Sequence, residues 1–151
     1  MKLEKGFLNT TILFLVTLVS ILSLANSVSA ISLEPKHKIV IQVNSNDPAI
    51  QQASLNVIVN LQKHYGIDNI AIEVVAFGPG ISLVTEKSTQ TSRIESLVMQ
   101  NVTFTACGNT LNTIKKRTGK KPKLLNDVTT VPTGVARIVE LQEMGYAYFR
   151  L

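Results

Sequence analysis

An α/β fold built on a mainly parallel sheet of about five strands is predicted by three features of the 151-residue sequence. Two nearly continuous apolar runs, 38–43 and 70–76, have the pattern of strands covered on both faces. An amphipathic stretch of helical period joins them, and strand and helix patterns then alternate to the end of the chain. A strand, a helix and a second strand at this spacing make a βαβ unit, which pairs its strands in parallel.

Residues 1–30 are expected to stand outside that fold. Lys2 and Lys5 give a positive start, residues 12–24 form an apolar stretch, and Val28, Ser29 and Ala30 offer small residues for cleavage. Together these three regions make the pattern of a secretory signal peptide. A retained anchor is the alternative, but the apolar stretch is about 13 residues long, short of the ~20 that span a bilayer. Cleavage leaves 121 residues, enough for one domain with a real core, and a net charge of +4, because the segment removed carries Lys2, Lys5 and Glu4. The expected product is periplasmic or secreted, with a linker at 31–37, one domain at 38–151 and no stable membrane anchor.

The strand at 38–43 ends in Asn44, Ser45, Asn46 and Asp47. Asp47 caps a helix that opens with Pro48, carries Ile50, Ala53, Val57, Ile58 and Leu61 on one face, runs to Tyr65 and stops at Gly66. The second strand, 70–76, runs into Gly78, Pro79 and Gly80. Residues 81–87 read either as a loop or as a short helical turn with Leu83 and Val84 inward, and 89–100 as a helix with Ile94, Leu97 and Val98 on one side. Val102, Phe104 and Ala106 alternate with Thr103 and Thr105 in a third strand. A helix follows Cys107, with Asn109 or Thr110 as its cap, Lys115, Lys116 and Arg117 at its far end and Gly119 as its stop. Residues 124–130 are a loop and short strand. Thr133 and Gly134 open a last helix with Val135, Ile138, Val139 and Leu141 as its buried stripe; Gly145 ends it and 146–151 make the closing strand.

Cys107, the single cysteine, therefore stands where a strand ends and a helix begins. Helix N-termini carry unpaired N–H groups and about half a positive charge, which favour a thiolate, and a free cysteine otherwise titrates near ~8.5. The plainer reading is a small buried residue filling the strand end. One cysteine excludes an internal disulfide framework, so the fold rests on its core.

Other chemistries are poorly supplied. Of the two histidines, His37 lies in the linker, and His64 lies at the end of the first helix, at the sheet edge opposite Cys107. A metal site is not indicated, nor is a cofactor. Gly78, Pro79 and Gly80 lack the spacing and lysine of a phosphate loop and read as a tight turn. The cluster Lys115, Lys116, Arg117, Lys120, Lys121 and Lys123 suits an anionic partner, but cations that oppose a helix dipole explain it more simply. Nucleic acid is not expected to be a partner. Ligands collect at the carboxyl ends of parallel strands, which makes Asn44, Asp47, Gly78, Gly80, Gly108, Asn109, Thr110, Thr133 and Gly134 the candidate binding residues around Cys107.

The residues Ala106, Cys107, Gly108, Asn109, Thr110 and Leu111, together with the closing Gly145, Tyr146, Ala147 and Tyr148, resemble the DsrE/DsrF-like (YchN-like) sulfur-relay family, in particular its small exported branch. The resemblance spans the whole of 38–151, including residues 38–47, 75–80 and 131–139. It implies a three-layer α/β/α sandwich, assembly into a trimer or hexamer, and a cysteine at the end of the third strand that accepts sulfur; Cys107 matches that position. Relay members of the family work in the cytoplasm, whereas the signal pattern exports this chain. The expected function is a sulfur-carrier-like protein in which Cys107 takes or passes sulfur as a persulfide, with a donor or acceptor protein as partner. The alternative is an oligomeric small-ligand-binding or structural module in which Cys107 is packing.

Overall fold

The computed structural model describes residues 34–151. The signal-peptide pattern and the first linker residues lie outside the described residues. Five strands, β1 (His37–Val43), β2 (Ile70–Ala76), β3 (Val102–Cys107), β4 (Val128–Val131) and β5 (Ala147–Arg150), form a single sheet in the order β4-β3-β2-β1-β5, and every neighbouring pair is parallel. Four α-helices cross between them: α1 (Pro48–Tyr65), α2 (Thr91–Val98), α3 (Gly108–Thr118) and α4 (Gly134–Glu143).

The order explains the layers. The chain steps from β1 to β4 in one direction, and right-handed crossovers then put α1, α2 and α3 on the same face. The return from β4 to β5 reverses direction and sends α4 to the other face. Two cores result. The larger joins Ile41, Ile72, Val74 and Phe104 of the sheet to Leu55, Ile58, Ile94, Leu97 and Leu111 of the three helices. The smaller joins Val40 and Val75 to Ile138 and Leu141 of α4. This is the three-layer α/β/α sandwich on a parallel sheet.

Local signals set the helix ends. Asp47 caps α1, its carboxylate accepting from the Ala49 N–H at 2.8 Å, and Gly66 ends the helix at φ 87°. Gly119 ends α3 in the left-handed region, which a residue bearing a Cβ enters only at a cost. The ambiguous stretch after β2 is a 3-10 turn, Gly78–Val84, with Leu83 and Val84 fully buried.

Three expectations are corrected. His37 is the first residue of β1, not part of a linker. The buried stripe of α1 is Gln51, Ser54, Leu55, Ile58 and Gln62. Its polar members bond to the chain around them: Gln51 Nε2 donates to Ser45 O at 2.9 Å and to Ser82 Oγ at 2.8 Å, and Gln62 Nε2 donates to Gln100 O at 3.1 Å, while Gln62 Oε1 is left without a partner. On α4, Ile138 and Leu141 face the sheet, but Val135 and Val139 are 54% and 49% exposed, because a lone helix on an open face buries only the side turned inward. The polar side chain that reaches the sheet from α4 is Arg137, whose guanidinium makes a two-bonded pair with buried Glu73 of β2.

Candidate functional site

Cys107 ends β3 and is itself the residue that caps α3, so neither Asn109 nor Thr110 takes that place. Because β-strand side chains alternate, Cys107 points to the face that α4 covers, in step with Thr105. The β3 to α3 turn also packs tightly against the chain leaving β4: the Asn109 N–H donates to Pro132 O at 3.1 Å, and Asn109 Nδ2 donates to Thr133 Oγ1 at 3.1 Å. That contact brings the start of α4 onto the thiol. A methyl group on Gly134 would lie 3.2 Å from Cys107 Cβ and 3.3 Å from Phe77 Cβ.

Two helix N-termini thus converge on one sulfur. Cys107 is 5% exposed, and burial by itself pushes the thiol up. The Thr110 hydroxyl and the N–H groups of Gly134, Thr110 and Asn109 favour the thiolate, and their sum takes the thiol below its ordinary value. The Asn109 N–H already serves Pro132, so Thr110 and Gly134 are the groups most free to follow the charge. Thr110 is placed in turn by the Gly78 N–H, which donates to its Oγ1 at 3.0 Å.

The structure draws Gly78, Gly108, Asn109, Thr110, Thr133 and Gly134 together around Cys107. The remaining candidates have other duties. Asp47 caps α1, and Gly80 presses on the backbone of Val43 and Asn44 so closely that a Cβ there would lie 2.6 Å from the Val43 carbonyl carbon and 2.9 Å from Asn44 Cα. The four loops do lie on adjacent strands β1 to β4, but the point where strand order reverses falls between β1 and β5. The setting of Cys107 therefore comes from helix ends, not from the crevice that such a reversal opens.

No histidine assists it. His37 opens β1 and His64 ends α1, and both rings pack on Tyr65, at centroid distances of 4.0 and 4.6 Å. They sit at the strand N-terminal end, roughly 20 Å from the Cys107 rim at about 3.3 Å per strand residue. Among the described residues no group of three or more histidine, cysteine or acidic side chains could hold a metal ion.

Sequence reasoning missed the packing of Gly134 against Cys107 and Phe77 and the Glu73–Arg137 pair. Only the last left a signal, a lone carboxylate inside an apolar strand, because an ionised group there needs a cationic partner.

No family model and no curated protein matches the sequence. Among solved structures, the chain is similar to MTH1491 from Methanobacterium thermoautotrophicum, a protein of unknown function, at 29% sequence identity and a TM-score of 0.69, with 76% of this chain and 99% of that chain covered. That likeness supports the α/β fold as a shared architecture.

Proposed function

We propose that this protein is an exported sulfur carrier of the DsrE/DsrF-like type, in which Cys107 accepts sulfur as a persulfide and passes it on within a homo-oligomer. The observation that supports it most is the seating of the single thiol at the start of α3 with Gly134, the first residue of α4, packed against it, where the Thr110 hydroxyl and the Thr110 and Gly134 N–H groups favour the thiolate. These groups favour the attacking thiolate, and no general base is required once the sulfur is ionised.

The step balances with a persulfide donor, R–S–SH. The Cys107 thiolate attacks the outer sulfur, the new Sγ–S bond forms as the donor S–S bond breaks, and the donor departs as R–S⁻. The proton stays on the transferred sulfur, and no external oxidant or reductant enters. The slight exposure of Cys107 suits a donor that presents a single protruding sulfur atom. Export rests on the pattern at 1–30; among the described residues no helix is long and apolar enough to cross a membrane. Assembly is supported by exposed Val135 and Val139, one turn apart on α4.

The second reading, a small-ligand-binding or structural module with Cys107 as packing, draws on the same burial. Intact mass separates the two. Added sulfur mass after exposure to a persulfide or polysulfide, reversed by reductant and absent in Cys107→Ser, is the result the carrier reading expects. No addition, with the thiol silent to alkylation until the protein is unfolded, overturns it in favour of packing.

A further inference from the structure

Between the 3-10 turn with the loop after it and α3 with the residues beyond Gly119 lies a cleft of about 990 Å³. Its volume is at the upper end of those that hold small ligands. Its walls are joined at one end: the Glu86 N–H donates to Lys123 O at 3.1 Å, the Leu125 N–H donates to Val84 O at 3.1 Å, and Thr85 bridges Leu124. The hollow is therefore built by the fold.

Its lining has two parts. Pro79 and Ile114 offer apolar surface beside buried Ile81, and Lys87, Arg117, Lys120 and Lys121 supply charge. Glu86 is the lining carboxylate, and Lys123 Nζ already pairs with it at 2.8 Å. The other four cations have no acidic partner among the described residues. A helix dipole accounts for Arg117 in the last turn of α3. It does not account for Lys87, which comes from a separate loop, or for Lys120 and Lys121, which lie past the left-handed turn at Gly119. Like charges gathered round one hollow repel one another until a counter-charge enters.

We infer that this cleft binds a small organic anion, one with a carboxylate, sulfonate or phosphate head held by Arg117, Lys120, Lys121 and Lys87 and an apolar body laid against Pro79 and Ile114. The inference does not rest on sulfur chemistry. Thr110 is the element common to both sites, lining the cleft while serving the thiol.

The test uses 8-anilinonaphthalene-1-sulfonate as the probe, with N-phenyl-1-naphthylamine as its uncharged counterpart and inorganic sulfate as an anion without a body. The expected result is saturable 1:1 binding of the sulfonate that shifts the Ile81 and Ile114 methyl resonances, persists in Cys107→Ser, and weakens roughly tenfold in Arg117→Gln/Lys121→Gln, the loss that 1.4 kcal/mol of head-group contact represents. Both changed positions are exposed, so folding is spared. Absence of saturable binding, equal affinity for the uncharged counterpart or for sulfate, indifference to the double variant, or shifts centred on Ile138 of α4 would each overturn the proposal. Failure here leaves the persulfide test unaffected, since that experiment reads mass at Cys107 alone.

Discussion

Gly134, the first residue of α4, stands so close to Cys107 that even a methyl group there would be tight: a Cβ on the glycine would approach the cysteine Cβ to 3.2 Å and Phe77 Cβ to 3.3 Å. At that closeness the Gly134 N–H favours the thiolate of Cys107. A larger residue at 134 would separate the second helix N-terminus from the thiol.

Gly134→Ala is expected to destabilise the protein by about 1 kcal/mol, because overpacking at the sheet outweighs the gain in helix propensity. Urea unfolding measures the loss. Thiol alkylation of the same variant should show a higher apparent pKa than the parent, as the N–H is displaced.

Thr110→Val tests the other donor. Burial raises the Cys107 thiol and the Thr110 hydroxyl is the largest influence lowering it, so the alkylation midpoint, expected below the ordinary ~8.5, should move up in the variant. A thiol depressed in the folded state contributes stability above its unfolded pKa and loses it as pH falls through the folded value. Stability relative to Cys107→Ala should therefore rise with pH across that interval. The variant also leaves the Gly78 N–H without its acceptor, at a cost of about 1 kcal/mol.

Gly80→Ala should be the more damaging glycine change. The added carbon would fall 2.6 Å from the Val43 carbonyl carbon and nearer still to its oxygen, and backbone atoms cannot rotate aside. A loss of about 3 kcal/mol or failure to fold is expected, read by thermal unfolding.

Arg137→Leu removes one half of the pair in which Arg137 Nε reaches Glu73 Oε1 at 2.9 Å and Nη2 reaches Oε2 at 2.8 Å. The Glu73 side chain is only 5% exposed, so the carboxylate left behind should cost about 3 kcal/mol. Glu73→Leu/Arg137→Leu should recover much of that, since no buried charge remains. Equal losses in the single and double variants would show that the pair acts through packing alone.

Val139→Glu addresses assembly. With Val135 and Val139 exposed on the one helix of their face, a charge at 139 should shift the protein toward monomer in light scattering while its spectroscopic fold is unchanged. An unchanged mass would place any subunit interface elsewhere.

Much of the fold was legible in the chain itself. The apolar runs of β1 and β2, the Asp47 cap, the stops at Gly66, Gly119 and Gly145, and the position of Cys107 between β3 and α3 all follow from side-chain period and φ preference. Such signals act within a few residues, so the sequence alone could settle them. Only the tertiary structure decided the strand order, the exposure of Val135 and Val139, the burial of Gln51 and Gln62, the Glu73–Arg137 pair and the arrival of Gly134 at Cys107. Each of these joins segments that are far apart in the chain, or depends on which face a neighbour covers. Periodicity identifies the apolar side of a helix, and packing determines which of its residues the sheet reaches.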